Sequence, residues 1–135
     1  MAEKTDCACE GKPTLVFCCS GASDVGEIVD RACRKLKAEG TASMYCLAGI
    51  GGRVSGIMKT TEAAGRVLAV DGCPLDCARK CLEEAGFKAF LHFRAADVGL
   101  VKGKSPVNAE AVAAVADKAR SLLSCCTTSK GGSRK

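Results

Sequence analysis

The chain has 135 residues, of which 47% are hydrophobic, so it can build one compact domain with a core but not two of ordinary size. Of its formal net charge of +5, three charges come from Lys130, Arg134 and Lys135 in the terminal stretch "SKGGSRK". Its aromatic residues are four Phe and one Tyr. A charge concentrated at one end, with few rings for base stacking, argues against nucleic-acid binding.

The N-terminal stretch "MAEKTDCACEGK" lacks the apolar run of a signal peptide, and no segment approaches the roughly 20 apolar residues of a membrane span. The cysteines number eleven, an odd count that does not suit a disulfide scaffold. We therefore expect a cytoplasmic protein with reduced thiols and no membrane association. Its expected parts are a cysteine-containing segment (1–12), an α/β domain (13–126) and a basic disordered tail (127–135).

The first predicted strand is "TLVFCC" (14–19), an apolar run rich in β-branched and aromatic residues. A helix follows, because apolar residues recur at helical spacing from Val25 to Leu36. We interpret Asp24 and Glu27 as its capping box and Gly40 as its C-terminal stop.

The rest of the chain continues the alternation of strand and helix. The further predicted elements are the strand "SMYCLA" (43–48), a helix from Arg53 to Ala64, the strand "RVLAVD" (66–71), a helix from Pro74 to Ala85, the strand "AFLHF" (89–93) and a helix from Pro106 or Asn108 to Ser124. Short connections between such elements predict one three-layer α/β domain, with a roughly four-stranded parallel sheet and helices on both faces. We expect the strand order 2-1-3-4 and a ligand site at the carboxyl ends of the strands.

Four cysteines are predicted to meet at that edge of the sheet. Cys19 ends the first strand, Cys46 lies near the end of the second, and Cys73 and Cys77 follow the third. Pro74 suits the first position of a helix, which makes Cys73 the N-cap and favours its thiolate form. On that helix Cys77 would lie one turn further along, close enough to share an ion with Cys73.

Three interpretations of these thiols remain open from the residues alone. The first is a metal site, the second is a redox or thiol-transfer site with Cys73 as the attacking thiolate, and the third is the packing of small apolar side chains. The spacing of Cys73, Cys77 and Cys81, in steps of four, differs from both Cys-x2-Cys and the radical-enzyme iron–sulfur motif.

Three stretches of the chain resemble the DGC domain family, named after the Asp-Gly-Cys of its central motif. They are "CSGASDVGEIVDRACRKL" (19–36), "MYCLAGIGG" (44–52) and "VDGCPLDCARKCLEEAGF" (70–87), within a resemblance that extends over about residues 13–124. The family implies zinc held by four chelating cysteines, which correspond here to Cys19, Cys46, Cys73 and Cys77. Since zinc with four cysteine ligands is normally structural, we expect a metal-ion binding protein rather than an enzyme. The alternative is thiol-based transfer or detoxification of a soft metal, metalloid or sulfur species.

Other cysteines and the histidine are predicted to have structural roles. Alternation along the first strand turns Cys18 to the layer opposite Cys19, where it belongs to the core, and Cys33 lies on the apolar stripe of the first helix. Cys81 lies about 12 Å along the predicted helix from Cys73, too far to share its ion. We expect His92 to form a local hydrogen bond rather than to bind metal. We expect Asp71 to fix the turn after its strand, although its carboxylate could instead accept a hydrogen bond beside the site.

Basic and glycine-rich segments suggest two further roles. The stretch "LAGIGGRVSG" (47–56), with Arg53 or Lys59, could cradle an anion, although it completes neither phosphate fingerprint. Its glycines could instead let backbone amides approach the sulfur of Cys46. Lys102 and Lys104 could offset the charge of a zinc tetrathiolate or simply be solvated.

The cysteines near the two ends form a separate question. The topology brings Cys7 and Cys9 to the amino edge of the sheet, where Cys125 and Cys126 also arrive. They are interpreted either as a second soft-metal or oxidisable cluster or as thiols on frayed termini.

Overall fold

The computed structural model describes residues 11–124. The strands are β1 (Thr14–Cys18), β2 (Ser43–Met44), β3 (Arg66–Asp71) and β4 (Leu91–Arg94). The helices are α1 (Asp24–Glu39), α2 (Leu47–Gly51), α3 (Ser55–Glu62), α4 (Cys77–Glu84) and α5 (Ala109–Leu123), with a short 3-10 helix at Ala95–Val98. Within residues 11–124, no helix has the length and apolar character needed to cross a bilayer.

The four strands form one parallel sheet in the order β2-β1-β3-β4, which confirms the predicted fold and strand order. From β1 the chain crosses to β2 on one side, whereas from β3 it crosses to β4 on the other. The carboxyl ends of β1 and β3 therefore form the switch point of the sheet, the usual place for a ligand in this architecture.

Helices cover both faces of the sheet, so its strands are apolar on both sides. One core contains α1 and α5 packed on Val16, Leu68 and Val70. The other contains α2, α3 and α4 packed on Leu15, Phe17 and Ala69.

The start of α1 differs from the predicted capping box. The N-cap is Ser23, whose Oγ accepts a hydrogen bond from Gly26 N at 3.1 Å. Glu27 forms an ion pair with Arg31 instead of capping the helix. The predicted end is confirmed, since Gly40 adopts the left-handed conformation at φ 83°.

The segment after β2 was wrongly predicted. The strand was expected over residues 43–48 but ends at Met44, and α2 already begins at Leu47. The helix expected from Arg53 begins at Ser55. The physical reason is close packing, because a Cβ on Gly49 would lie 2.2 Å from Ile57 Cδ1. Glycine thus lets α2 and α3 pack as two short helices.

Glycine also permits a close contact at the switch point. A Cβ on Gly72 would lie 2.9 Å from Gly26 N and from the carbonyl group of Val25. A Cβ on Gly26 would in turn lie 2.6 Å from Gly21 O. The loop after β1, the first turn of α1 and the loop after β3 are therefore in direct backbone contact, and the first and last of these segments carry Cys19 and Cys73.

We expect Gly72→Ala to destabilise the protein by about 1–3 kcal/mol, because the added methyl meets backbone atoms that cannot move aside. Gly56→Ala is the control, since a Cβ there has nothing within 4 Å, and its stability should be unchanged or slightly higher. Urea denaturation measures both variants. Equal stability of Gly72→Ala and the parent chain would show that the contact is not tight.

Candidate metal centre

The structure brings all four predicted ligands to the carboxyl edge of the sheet. Cys19 follows β1 directly, Cys46 is the N-cap of α2 after β2, Cys73 lies in the turn after β3, and Cys77 is the first residue of α4. Cys19 and Cys73 are half-buried, whereas Cys46 and Cys77 are exposed. All seven cysteines of the described residues are free thiols.

The Cys19 sulfur lies at the switch point between β1 and β3. Its Sγ accepts a hydrogen bond from Gly72 N at 3.4 Å, and Cys19 N donates to Val70 O. Burial raises the pKa of the Cys19 thiol, and the N–H groups of Gly21 and Gly72 oppose this effect. The Gly72 contact thus links Cys19 to the backbone of the loop that carries Cys73.

The Cys73 sulfur has a cation beside it. Lys102 Nζ lies 3.9 Å from Cys73 Sγ. The loop that carries Lys102 is attached to the start of α1, because Gly103 N donates to both carboxylate oxygens of Asp24 at 2.9 Å. This hydrogen bond lowers the pKa of Asp24 and supports the lysine near the sulfur.

The predicted N-cap role of Cys73 is wrong. Residues 73–75 form a turn in which Asp76 N donates to Cys73 O at 3.2 Å, and α4 begins only at Cys77. The N-cap position is held by Asp76, in the left-handed conformation at φ 56° and ψ 46°. Cys73 and Cys77 are therefore not one helical turn apart.

The free amides of α4 are capped by Asp71, which was expected to fix the turn or to accept a hydrogen bond beside the site. Its carboxylate accepts hydrogen bonds from Ala78 N at 2.7 Å and Arg79 N at 3.1 Å. It also bonds His92 Nε2 at 2.9 Å, which confirms the local hydrogen bond predicted for the histidine. An acidic side chain at the N-terminus of a helix is stabilised by the helix dipole.

A second buried carboxylate, Asp76, holds the other end of the same loop. Its side chain is 2% exposed and receives a bidentate ion pair from Arg94, at 2.6 Å from Nε and 2.5 Å from the terminal nitrogen. Arg79 approaches it at 3.2 Å and His92 at 3.6 Å. The Arg94 guanidinium lowers the pKa of Asp76, so the carboxylate is charged at neutral pH.

Within residues 11–124, the only group of at least three metal-type ligands whose atoms all lie within 4.8 Å of one another is Asp71, Asp76 and His92. Every carboxylate oxygen in it already accepts hydrogen bonds from backbone amides, arginines or the histidine. This group therefore suits an ion-pair network that supports the loop. The predicted cysteines line the same edge without forming such a compact group.

The other cysteine predictions have clear outcomes within the described residues. Cys18 and Cys33 are buried in the core beside α1, as predicted. The layer predicted for Cys18 is wrong, because Cys19 packs against the same core and not against the opposite one. Cys81 is half-buried on α4. The terminal residues Cys7, Cys9, Cys125 and Cys126 lie outside the described residues, so their predicted cluster stays a prediction.

Arg53 has a different role from the anion cradle considered for it. Its guanidinium donates to Ile50 O at 2.8 Å and to Glu84 O at 2.9 Å, so it joins the C-terminal ends of α2 and α4. Carbonyl oxygens at helix C-termini carry partial negative charge, and this favours a bound cationic side chain.

Comparison with known proteins supports a family relationship. The sequence profile of the DGC domain matches residues 15–119. The Anaerobic and virulence modulator AnvM of Pseudomonas aeruginosa is 35% identical over 88 residues, which cover 65% of this chain and 67% of that protein. No solved structure matches the chain significantly.

We expect Asp76→Asn to cost roughly 2 kcal/mol of stability at pH 7, because asparagine tolerates the left-handed backbone but loses the charged hydrogen bonds to Arg94. Since folding lowers the pKa of Asp76, this stabilisation is present above the unfolded pKa and is lost as the pH falls through the folded one. The difference between variant and parent should therefore shrink below about pH 4. Urea denaturation across pH measures it.

The control for this prediction is Asp117→Asn, because Asp117 pairs with Arg120 but is 73% exposed. An exposed pair contributes at most about 1 kcal/mol. Equal losses in the two variants at pH 7 would contradict a special role for Asp76.

Proposed function

The chain belongs to the DGC domain family, and on this premise we propose that it is a zinc-binding protein whose ion is held by Cys19, Cys46, Cys73 and Cys77. One observation carries the proposal. Three free thiols follow three neighbouring strands, a fourth begins α4, and all four lie at the carboxyl edge of one sheet. Cys19, Cys46 and Cys73 are far apart in sequence, and they meet because the carboxyl ends of parallel strands lie at the same edge of a sheet.

The donor chemistry fits zinc. Four cysteine thiolates are a common ligand set for structural zinc, and together with the ion they carry a net charge of about −2. Lys102 beside Cys73 offsets part of that charge, and the Gly72 N–H beside Cys19 offers a hydrogen bond to a charged sulfur. The loop that carries Lys102 is held by the hydrogen bonds from Gly103 N to Asp24.

The ion would supply a cross-link rather than a reaction. A zinc site filled by four cysteines leaves no open position for substrate or water, so the proposed role is binding and not hydrolysis. The chain itself positions the thiols, through the Asp71 and Asp76 network on one side and the Gly72 contact on the other.

The purified protein should contain about one tightly bound zinc ion per chain, and the double variant Cys73→Ser, Cys77→Ser should lose it. Elemental analysis of protein expressed without added metal measures the content. Thiol counting before and after chelation should show that removal of zinc exposes additional reactive sulfurs.

The control is Cys81→Ser, which changes a half-buried cysteine on the same helix outside the proposed ligand set. Its zinc content should equal that of the parent chain. Zinc content unchanged in the double variant, or absent from the parent, would refute the four-cysteine site.

A second candidate function is favoured by the position of Lys102. In this candidate, Cys73 is the nucleophile for transfer or detoxification of a soft metal, metalloid or sulfur species. The helix N-terminus on which this idea first depended is capped by Asp71, but the ammonium of Lys102 lies 3.9 Å from the sulfur. The positive charge of the ammonium attracts negative charge on the sulfur.

For this candidate we expect Lys102→Met to slow the alkylation of Cys73 in metal-free protein about fivefold, the value of one charge at such a distance in water. Lys104→Met is the control from the same loop and should leave the rate unchanged. Mass spectrometry of the Cys73 peptide after timed iodoacetamide treatment measures both rates. Equal rates in the two variants would remove the support that Lys102 gives.

A further inference from the structure

The start of α4 changes which thiols are neighbours. Because the helix begins at Cys77, the residues one turn apart on it are Cys77 and Cys81, not Cys73 and Cys77. Side chains at i and i+4 lie on the same face of a helix, with Cβ atoms about 5–6 Å apart. Both residues are free thiols, with Cys77 exposed and Cys81 half-buried.

Cys81 lies beside α2. A Cβ on Gly51 would lie 3.9 Å from Cys81 Sγ, which is ordinary van der Waals distance. Cys81 also packs against the core that contains Ile50 and Leu82. Cys19 and Cys73, by contrast, pack against the core on the opposite face of the sheet. Cys81 therefore lies on the opposite side of the sheet from Cys19 and Cys73.

We infer that Cys77 and Cys81 form a dithiol chelate for a thiophilic trivalent metalloid such as arsenic. The site shares Cys77 with the proposed zinc centre, but it does not depend on zinc being bound. The apolar wall beside Cys81 and the exposed rim at Cys77 suit a ligand with a small organic or apolar substituent.

Geometry favours chelation over a disulfide in this pair. A disulfide needs Cβ atoms about 3.5–4.5 Å apart, closer than successive turns of an intact helix allow. A soft atom bonded to both sulfurs spans the larger gap, and thiolates select soft ions.

The chemistry balances without an oxidant. Phenylarsine oxide reacts with two thiols to form two As–S bonds. The oxide oxygen leaves with the two thiol protons as one water molecule, and arsenic stays trivalent. The reagent therefore tests for paired thiols without changing their redox state.

The chain offers a matched pair of variants, because Cys73 and Cys81 both lie four residues from Cys77 in opposite directions. The background is the full chain with Cys7, Cys9, Cys125 and Cys126 replaced by Ser, so that thiols outside the described residues cannot capture the reagent. In this metal-free background, phenylarsine oxide should protect Cys77 from N-ethylmaleimide. Cys73→Ser should keep the protection and Cys81→Ser should lose it.

Peptide mass spectrometry measures the labelled fraction of Cys77, and circular dichroism confirms that each variant is folded. Cys81→Ala is a second variant without the hydroxyl, and it should lose the protection as Cys81→Ser does. Protection that survives both Cys81 variants, or that is absent from the background chain, would overturn the inference. Zinc content separates the two proposals, because Cys73→Ser should lower it while Cys81→Ser should not.

Discussion

Two buried carboxylates hold the loop between β3 and α4, and the rest of the edge depends on them. Asp71 is 1% exposed and Asp76 is 2% exposed, so neither can be solvated by water. A buried charge is tolerated only when hydrogen bonds and opposite charges replace its hydration. Here the replacements are the first amides of α4 and side chains from α4 and β4. Because these partners come from separate elements, the loop is fixed from both ends.

The same network explains why this edge can hold several sulfurs. If no cations were present, thiolates at this edge would be repelled by the carboxylates of Asp71 and Asp76 and by one another. Arg94 and Arg79 neutralise Asp76 within the network, and Lys102 reaches Cys73 from a loop held by Asp24. A divalent metal would remove most of the remaining repulsion. The network of carboxylates and arginines is thus a support for the thiols rather than a competing metal site.

The sequence predicted the strands and their order because both depend on repeated, redundant signals. The apolar runs of β1 and β3 reflect burial on both faces, and alternation with helices leaves few parallel topologies. The helix starts were less predictable. Ser23, rather than Asp24, caps α1, since the Asp24 carboxylate is engaged by Gly103 from a loop 79 residues away. The late start of α4 likewise depends on Arg94, far from Asp76 in sequence, and no local pattern indicates such a partner.

This late start decides how Cys77 can be used. A helix from Pro74 would have placed Cys73 and Cys77 on one face, as local propensity suggests. The left-handed conformation at Asp76 instead leaves Cys73 in the loop before the helix. Within the helix, Cys77 and Cys81 lie one helical turn apart. A non-glycine residue adopts that conformation at an energetic cost, and the buried ion pairs of Asp76 offset it. Cys77 is consequently the sulfur that the two proposed sites share: the zinc centre, with Cys73 across the loop, and the dithiol chelate, with Cys81 along the helix. A ligand that occupies Cys77 in one site makes this sulfur unavailable to the other site.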